Sequence, residues 1–292
     1  MVTRYDYNPD EVKACYSALI ELLTILGEYR DHSVIIGGWV PYFLCPEHRE
    51  EHTGSLDIDL ALDFSRIAED RYETILRAIA RRGWRPGREP FIFLKAFPLP
   101  DGREIEVEIN FLAGEYGGRA RSRRHQDVQN IKARKARGSD LVFAGPVDII
   151  IEGTLPGGGG NRVAVKVASI IPFLVTKGMA LWSRYKEKDA YDIYFCFRNY
   201  PGGLEAIIAQ AQGHLGNRLV REGLGKIRAK FASVEDVGPV WAANFEVPPE
   251  DRRDNPEAQE RWEIIRRDAF ERVESVMTQL GIEPYQQDGG SV

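Results

Sequence analysis

The sequence predicts an α/β fold: a small mixed sheet with helices packed against it, followed by a helical domain. Three observations carry this. The chain has 292 residues, 43% hydrophobic and 28% charged, which is long for one core and fits two modest domains. Up to Leu112 the hydrophobic period switches repeatedly between helix-like and strand-like. Beyond Ser169 it is helical only.

Pro9-Asp10-Glu11 opens the first helix, in which Val12, Tyr16, Leu19, Ile20, Leu23 and Leu26 recur at helical spacing up to Gly27. Ser33 to Ile36 is a short β-branched run and reads as a strand. Gly37-Gly38 breaks it, and WVPYFL restarts as a brief helix. His48 to Gly54 reads as a polar surface loop. Leu56 to Leu62 alternates acid and apolar residues, the pattern of a half-buried strand. Ile67 to Arg82 is an amphipathic helix, with Tyr72, Ile75, Leu76 and Ile79 on one face. Two strands follow, Phe91 to Phe97 and Glu104 to Leu112, joined through Leu99-Pro100-Asp101-Gly102.

The stretch from Arg119 to Arg137 changes character, with Arg119, Arg121, Arg123, Arg124, Lys132, Arg134, Lys135 and Arg137 among few apolar residues. It reads equally as a solvated loop and as a track for an RNA backbone. Two more strands, Val147 to Ile151 and Arg162 to Val167, are joined through the Gly157–Gly160 run, which reads as a hairpin tip. Helical patterns cover Ile170 to Trp182, Lys188 to Phe197, Leu204 to Gln212, Leu219 to Phe231 and Glu257 to Leu280. This divides the chain into an α/β domain over 1–165 and a helical domain over 166–292.

Net charge is −5 and the pI is about 5.7, so the whole molecule is no general nucleic-acid binder and any attraction to phosphate is local. Cys15, Cys45 and Cys196 lie in apolar runs with no metal-ligand spacing, as buried reduced thiols do. The N-terminal residues lack an apolar signal core and no apolar run approaches a membrane span, so the expected compartment is the cytoplasm, with no membrane partner. His32, His48, His52, His125 and His214 show no ligand spacing.

Asp57 and Asp59 are one residue apart. On a strand both carboxylates share a face while Ile58 and Leu60 point to the core. Like charges so close repel, and a divalent cation relieves the conflict. Magnesium prefers hard oxygen ligands and shares them with substrate phosphates. A solvated edge strand can carry the same pair, so two further features matter. VIIGGW is a strand, a Gly-Gly turn and a helix, a backbone able to approach phosphates closely. Glu104, Glu106 and Glu108 alternate with Ile105, Val107 and Ile109, so all three acids share one strand face and one of them can stand beside the aspartates.

The order Gly-Gly, loop, Ser55-Leu56-Asp57-Ile58-Asp59, then an acid on a later strand resembles the nucleotidyltransferase superfamily of polymerase-β type, over residues 33–112. The resemblance implies a nucleotidyltransferase-type mixed-sheet core. It also implies that Asp57 and Asp59 hold Mg2+ (or Mn2+) bridging the nucleotide phosphates, and that Gly37, Gly38 and Ser55 contact the nucleotide. The third acid is a further ligand of the metal and helps activate the attacking hydroxyl. Glu108 matches that acid by the apolar residues after it; the family mostly has Asp there, which leaves Glu106 open. Many relatives carry a basic residue four before the first Asp, where this chain has Thr53.

A second segment runs from Lys177 through Arg184, Lys188 and Asp189 to Asp192 and Tyr194. Spacing puts Lys177 with Arg184, and Asp189 with Asp192, on shared helix faces. A surface ion pair with Asp189 as an N-cap would produce the same pattern. The segment also resembles the signature following the catalytic domain in AbiEii-type nucleotidyltransferase toxins of bacterial type IV toxin–antitoxin systems. That resemblance spans residues 30–200. It implies that Lys177 and Arg184 bind the nucleotide phosphates and that Asp192 is an active-site residue. It further implies that an NTP is the substrate, an RNA (the tRNA 3′ end) the acceptor, and a cognate antitoxin the partner. The competing expectations are an antibiotic-modifying nucleotidyltransferase and a catalytically weak nucleotide-binding or interaction module.

Overall fold

The computed structural model describes residues 1–63, 67, 69–113, 125–128, 131–135 and 138–286. The chain is α/β and folds as two units. One comprises Tyr7–Phe43 with Thr53–Ser169, the other Met1–Asp6, Leu44–His52 and Ile170–Val292. The helical unit therefore takes two segments from the first fifth of the sequence as well as the C-terminal run.

In the sheet unit the elements follow in order: α1 (Pro9–Leu26), β1 (Ser33–Ile36), α2 (Val40–Leu44), β2 (Asp57–Leu62), α3 (Glu69–Arg81), β3 (Arg85–Pro86), β4 (Ile92–Pro98), β5 (Glu104–Ala113), β6 (His125–Val128), β7 (Ile131–Lys135), β8 (Val147–Thr154) and β9 (Gly160–Val167). Asn8 caps α1 by accepting from the Asp10 N–H at 2.9 Å, and Pro9 takes the first turn, where its missing N–H costs nothing. The strand order is β3-β4-β5-β2-β1-β9-β8, with β7 paired to β5 and β6 to β7. The sheet is mixed: β2 runs parallel to β5 and antiparallel to β1, while β1 and β9 are parallel.

Register separates the two faces of the sheet. Ile58, Leu60, Val107, Ile109 and Phe111 are fully buried. Lys95 is the ladder partner of Val107 and so shares this face; its Nζ donates to Glu21 of α1 at 2.7 Å. Thus α1 covers the apolar face, and the acids of β2 and β5 stand on the opposite one. Gly158 and Gly159 turn the β8–β9 hairpin in the left-handed region. Arg119, Arg121, Arg123, Arg124 and Arg137 of the basic stretch lie outside the described residues, and Lys132, Arg134 and Lys135 fall on β7.

The helical unit contains α4 (Ile170–Ser183), α5 (Glu187–Asn199), α6 (Gly203–Gln212), α7 (Arg218–Lys230), α8 (Val237–Glu246), α9 (Pro249–Arg252) and α10 (Pro256–Gln279). Sequence periodicity gives α4 to α7 and α10 within a residue or two at most boundaries but misses α8. Gly238 and Pro239, a pair that reads as a turn, stand in its first turn, and the helix is only ten residues long, too short for the rest of the pattern to outweigh them. The polar loop expected over His48 to Gly54 is instead a 3-10 helix, Pro46–Glu51, leading into a buried His52. All three cysteines are buried and free. Among the described residues no helix is long and apolar enough to cross a membrane.

Helices α4 and α7 meet where side chains are absent. A methyl at Gly178 would overlap the Gly223 carbonyl, and one at Gly223 would sit 2.8 Å from the Val175 Cα. Backbone cannot retreat as a flexible side chain can, so Gly178→Ala should cost about 1–3 kcal/mol. Urea unfolding followed by far-UV circular dichroism measures it; Gly216→Ala, with nothing within 4 Å of its added methyl, should leave the midpoint unchanged.

Candidate functional site

The first candidate cluster is built by sheet register. Parallel pairing sets Asp57 beside Glu108 and Asp59 beside Asn110, and antiparallel pairing sets Ile36, the residue before the glycine turn, beside Asp59. Paired residues on neighbouring strands share a face about 4.8 Å apart, so Asp57, Asp59 and Glu108 form a contiguous acidic patch. All three are half-buried. The buried Ser55 hydroxyl donates to Asp57 Oδ1 at 2.5 Å and fixes that carboxylate's orientation. The other two acids of β5 lie further along the strand: Glu106 is exposed and ion-paired with Arg85, and Glu104 is exposed opposite Pro98.

The Gly-Gly turn presses on the same patch. Gly37 has φ +71°, and a methyl there would overlap the Asp59 carboxylate. A methyl at Gly38 would lie 2.5 Å from Ser55 Oγ. Close approach of the turn to β2 therefore requires both glycines, whether or not a phosphate also uses the space.

Among the described residues no group of three His, Cys, Asp or Glu side chains is placed to hold a metal ion, so Glu108 does not join Asp57 and Asp59 as a third ligand here. Magnesium does not ask for one. It keeps several waters and takes one or two carboxylates together with substrate phosphates. Asp57 and Asp59, hard oxygen donors on one strand face beside a turn with no room for a Cβ, fit that open type of site, with Glu108 next along the ladder.

The second cluster lies in the helical unit and is a buried charge network. Lys177 of α4 is 6% exposed, and its Nζ donates to Asp189 Oδ1 at 2.8 Å and to Asp192 Oδ2 at 2.7 Å, both on α5. Asp189 also accepts two bonds from Arg184, at 2.7 and 2.9 Å. Asp192 takes Lys188, one turn before it, and His52 Nε2 at 2.9 Å. Both aspartates are fully buried, whereas the Arg184 side chain is 51% exposed. The N-cap of α5 is Lys186 and Asp189 lies inside its first turn, so Asp189 is no N-cap, and the Lys177–Asp192 pair is not at the surface.

Electrostatics follow from the burial. For Asp192 burial opposes the charge, but Lys177, Lys188 and His52 outweigh it and hold the carboxyl well below the usual carboxylate range. Burial opposes Lys177 too, and Asp189 and Asp192 overcome it, so its ammonium is held more firmly than usual. Lys188 goes the other way: burial lowers it more than Asp192 restores it, with Lys177 also repelling. Three cations face two carboxylates, and Lys188 absorbs the mismatch. His52 is lowered from its ordinary 6.5 to about 4, by burial first and by Lys188 second, against the pull of Asp192. It is stacked on Tyr191, with ring centroids 5.5 Å apart, and edge-on to Phe195 at 4.7 Å.

The sequence expectations named Asp192, Lys177 and Arg184 here, and the helical unit brings these three together with Asp189. They missed Lys188 and His52. Lys188 carries a local signal, four residues before Asp192; His52 carries none, being 140 residues away in the chain.

Two outcomes follow. Lys177→Met, which takes one cationic partner from each of two buried carboxylates, should cost about 3–5 kcal/mol by urea unfolding. The pH profile has two parts. Unfolded His52 protonates near 6.5 and folded His52 only near 4, so the unfolded state binds more protons between them and stability falls as pH drops through that window. Asp189 and Asp192, lowered from 3.8, contribute stability that is complete above that value and lost as pH falls below it. His52→Gln should flatten the upper part of the profile and leave the lower part, read from urea midpoints at successive pH values.

A scan against protein-family models, a search of curated proteins and a search of solved structures each find no match to this chain.

Proposed function

We propose that this chain is a metal-dependent nucleotidyltransferase that moves a nucleoside monophosphate from an NTP to an acceptor hydroxyl. The observation carrying the reading is the ladder position of Glu108 beside Asp57, with Asp59 two residues on along the same face. A third carboxylate at that place is what the motif order anticipates, and Glu106 and Glu104 lie further off. In this reading Asp57 and Asp59 hold Mg2+ or Mn2+, which when bound neutralises charge on the triphosphate. Glu108 takes the proton of the acceptor hydroxyl. The acceptor oxygen bonds to the α-phosphorus, the α–β phosphoanhydride breaks, and pyrophosphate leaves. Catalysis is then positioning and charge stabilisation, with no covalent enzyme intermediate.

Arg184 is the half-exposed cation of the buried network and the one best able to meet a phosphate. Lys177, held by Asp189 and Asp192, positions rather than reaches. The acceptor is RNA, most directly a tRNA 3′ end, and a cognate antitoxin is the natural partner; both rest on the AbiEii-type resemblance of the segment from Lys177 to Tyr194.

The test is incubation with total RNA, magnesium and each labelled NTP in turn, expecting label on RNA. Asp57→Ala and Asp59→Ala should each lower transfer by about two orders of magnitude or more. Their thermal midpoints should stay level or rise as like-charge repulsion is relieved. Glu108→Gln should cost far more activity than Glu104→Gln. Full transfer by Asp57→Ala, or a largest loss at Glu104, would refute the assignment.

A further inference from the structure

Four rings and two lysines form a continuous strip on the helical unit. Trp241 of α8 meets Tyr185 at 5.7 Å between centroids, tilted 72°. Lys230 of α7 places its Nζ 5.9 Å from the Tyr185 ring and 4.9 Å from the Trp182 ring. Trp182, in the last turn of α4, meets Tyr285 edge-on at 5.1 Å, and Lys226 lies 4.7 Å over Tyr285. Tyr285 is tied in place by its N–H, which donates to the Gly225 carbonyl at 2.9 Å. The order along the strip is ring, ring, cation, ring, ring, cation.

Tyr185 sits between α4 and α5 and is 85% exposed, so the fold does not hold it for its own core. Arg184 and Lys186 flank it in sequence. Trp241, Trp182, Tyr285 and Lys230 are half-buried beside it, and Lys226 is buried and ion-paired with Glu222. An exposed ring backed by further rings and flanked by cations is what an unpaired nucleotide needs: any base has a face to stack on, and a stacked base brings a phosphate for a neighbouring cation. The cores of protein interfaces take aromatic residues too, but they are depleted in lysine. The cations open to a phosphate are Lys230 and Lys186, since Lys226 is matched by Glu222 and Arg184 by Asp189; on a molecule whose net charge is −5 they give a polyanion a local point of attraction.

We propose that this strip binds single-stranded RNA, with bases stacking on Tyr185 and Trp241 and phosphates meeting Lys230 and Lys186. This names how the acceptor of the proposed transfer is held, and it rests on that reading for its purpose. The binding itself needs neither nucleotide nor metal.

The experiment titrates the full chain, without NTP, into a fluorescein-labelled single-stranded RNA of about ten nucleotides, and follows anisotropy. The parent should bind the single strand more tightly than the same sequence in duplex. Tyr185→Ala and Trp241→Ala should each weaken binding at least about fivefold, the lower end for one stacked base. Tyr185→Phe, which keeps the ring, should bind as the parent does, and Lys230→Ala should reduce the salt dependence. Tyr185 is exposed enough that its loss leaves the fold intact. Absence of binding by the parent, a duplex bound as tightly as the single strand, or unchanged binding by Tyr185→Ala would overturn the proposal. So would ring variants that keep RNA binding but lose a protein partner. Ring-dependent binding without any transfer by the parent would sink the enzyme reading and leave the strip standing.

Discussion

Parallel pairing of β2 with β5 decides what the acids of this chain can do. Alternation along β2 turns Asp57 and Asp59 to one face; only the register of β5 chooses which of three glutamates joins them, and it chooses Glu108. A shift of one residue would send the acids of β5 into the apolar face beneath α1. The sheet cannot make that shift, because Ile105, Val107, Ile109 and Phe111 would leave the core at the same time. The hydrophobic effect, acting on residues with no part in chemistry, thereby fixes the spacing of the carboxylates. Gly37 and Gly38 answer to the same constraint, since β2 approaches their turn too closely for a side chain.

The helical unit solves the opposite problem. It encloses two aspartates, two lysines and a histidine, groups that resist burial unless each is paired. Asp192 is the hub: Lys177, Lys188 and His52 all converge on its two oxygens. Such a network is costly to desolvate and contributes little net stability against an apolar core of equal volume, but it tolerates no missing member. That intolerance ties the segment Leu44–His52 to α5, because a displaced His52 would leave Asp192 one hydrogen bond short.

Much of this was legible in the residues, and the limits are physical. Period-two alternation located β2 and β5, and apolar residues recurring at helical spacing over ten or more positions located α1, α4, α5, α7 and α10, although of these only α10 buries a single face. Helix α8 was invisible because it is short and carries Gly238-Pro239, a helix-breaking pair, in its first turn. A Lys177–Asp192 pair is among the sequence expectations, as a surface ion pair; its burial and the share Asp189 takes in it are not, since a run of charges is usually solvated. His52 was read as part of a surface loop; no local pattern reveals a histidine whose partner lies on a helix 140 residues later. The aromatic strip was equally hidden, drawn from α4, α7, α8 and the segment after α10, and it becomes a unit only when those helices are packed.

The most direct measurement is manganese binding by electron paramagnetic resonance, with and without a non-hydrolysable NTP analogue. Two carboxylates beside a glycine turn should bind Mn2+ weakly alone and much more tightly once phosphate oxygens complete the set. The account predicts that the analogue sharply lowers free Mn2+ with the parent and with Glu104→Gln, and that Asp57→Ala and Asp59→Ala abolish this effect. Equal nucleotide-dependent Mn2+ binding by the parent and by Asp57→Ala would contradict it.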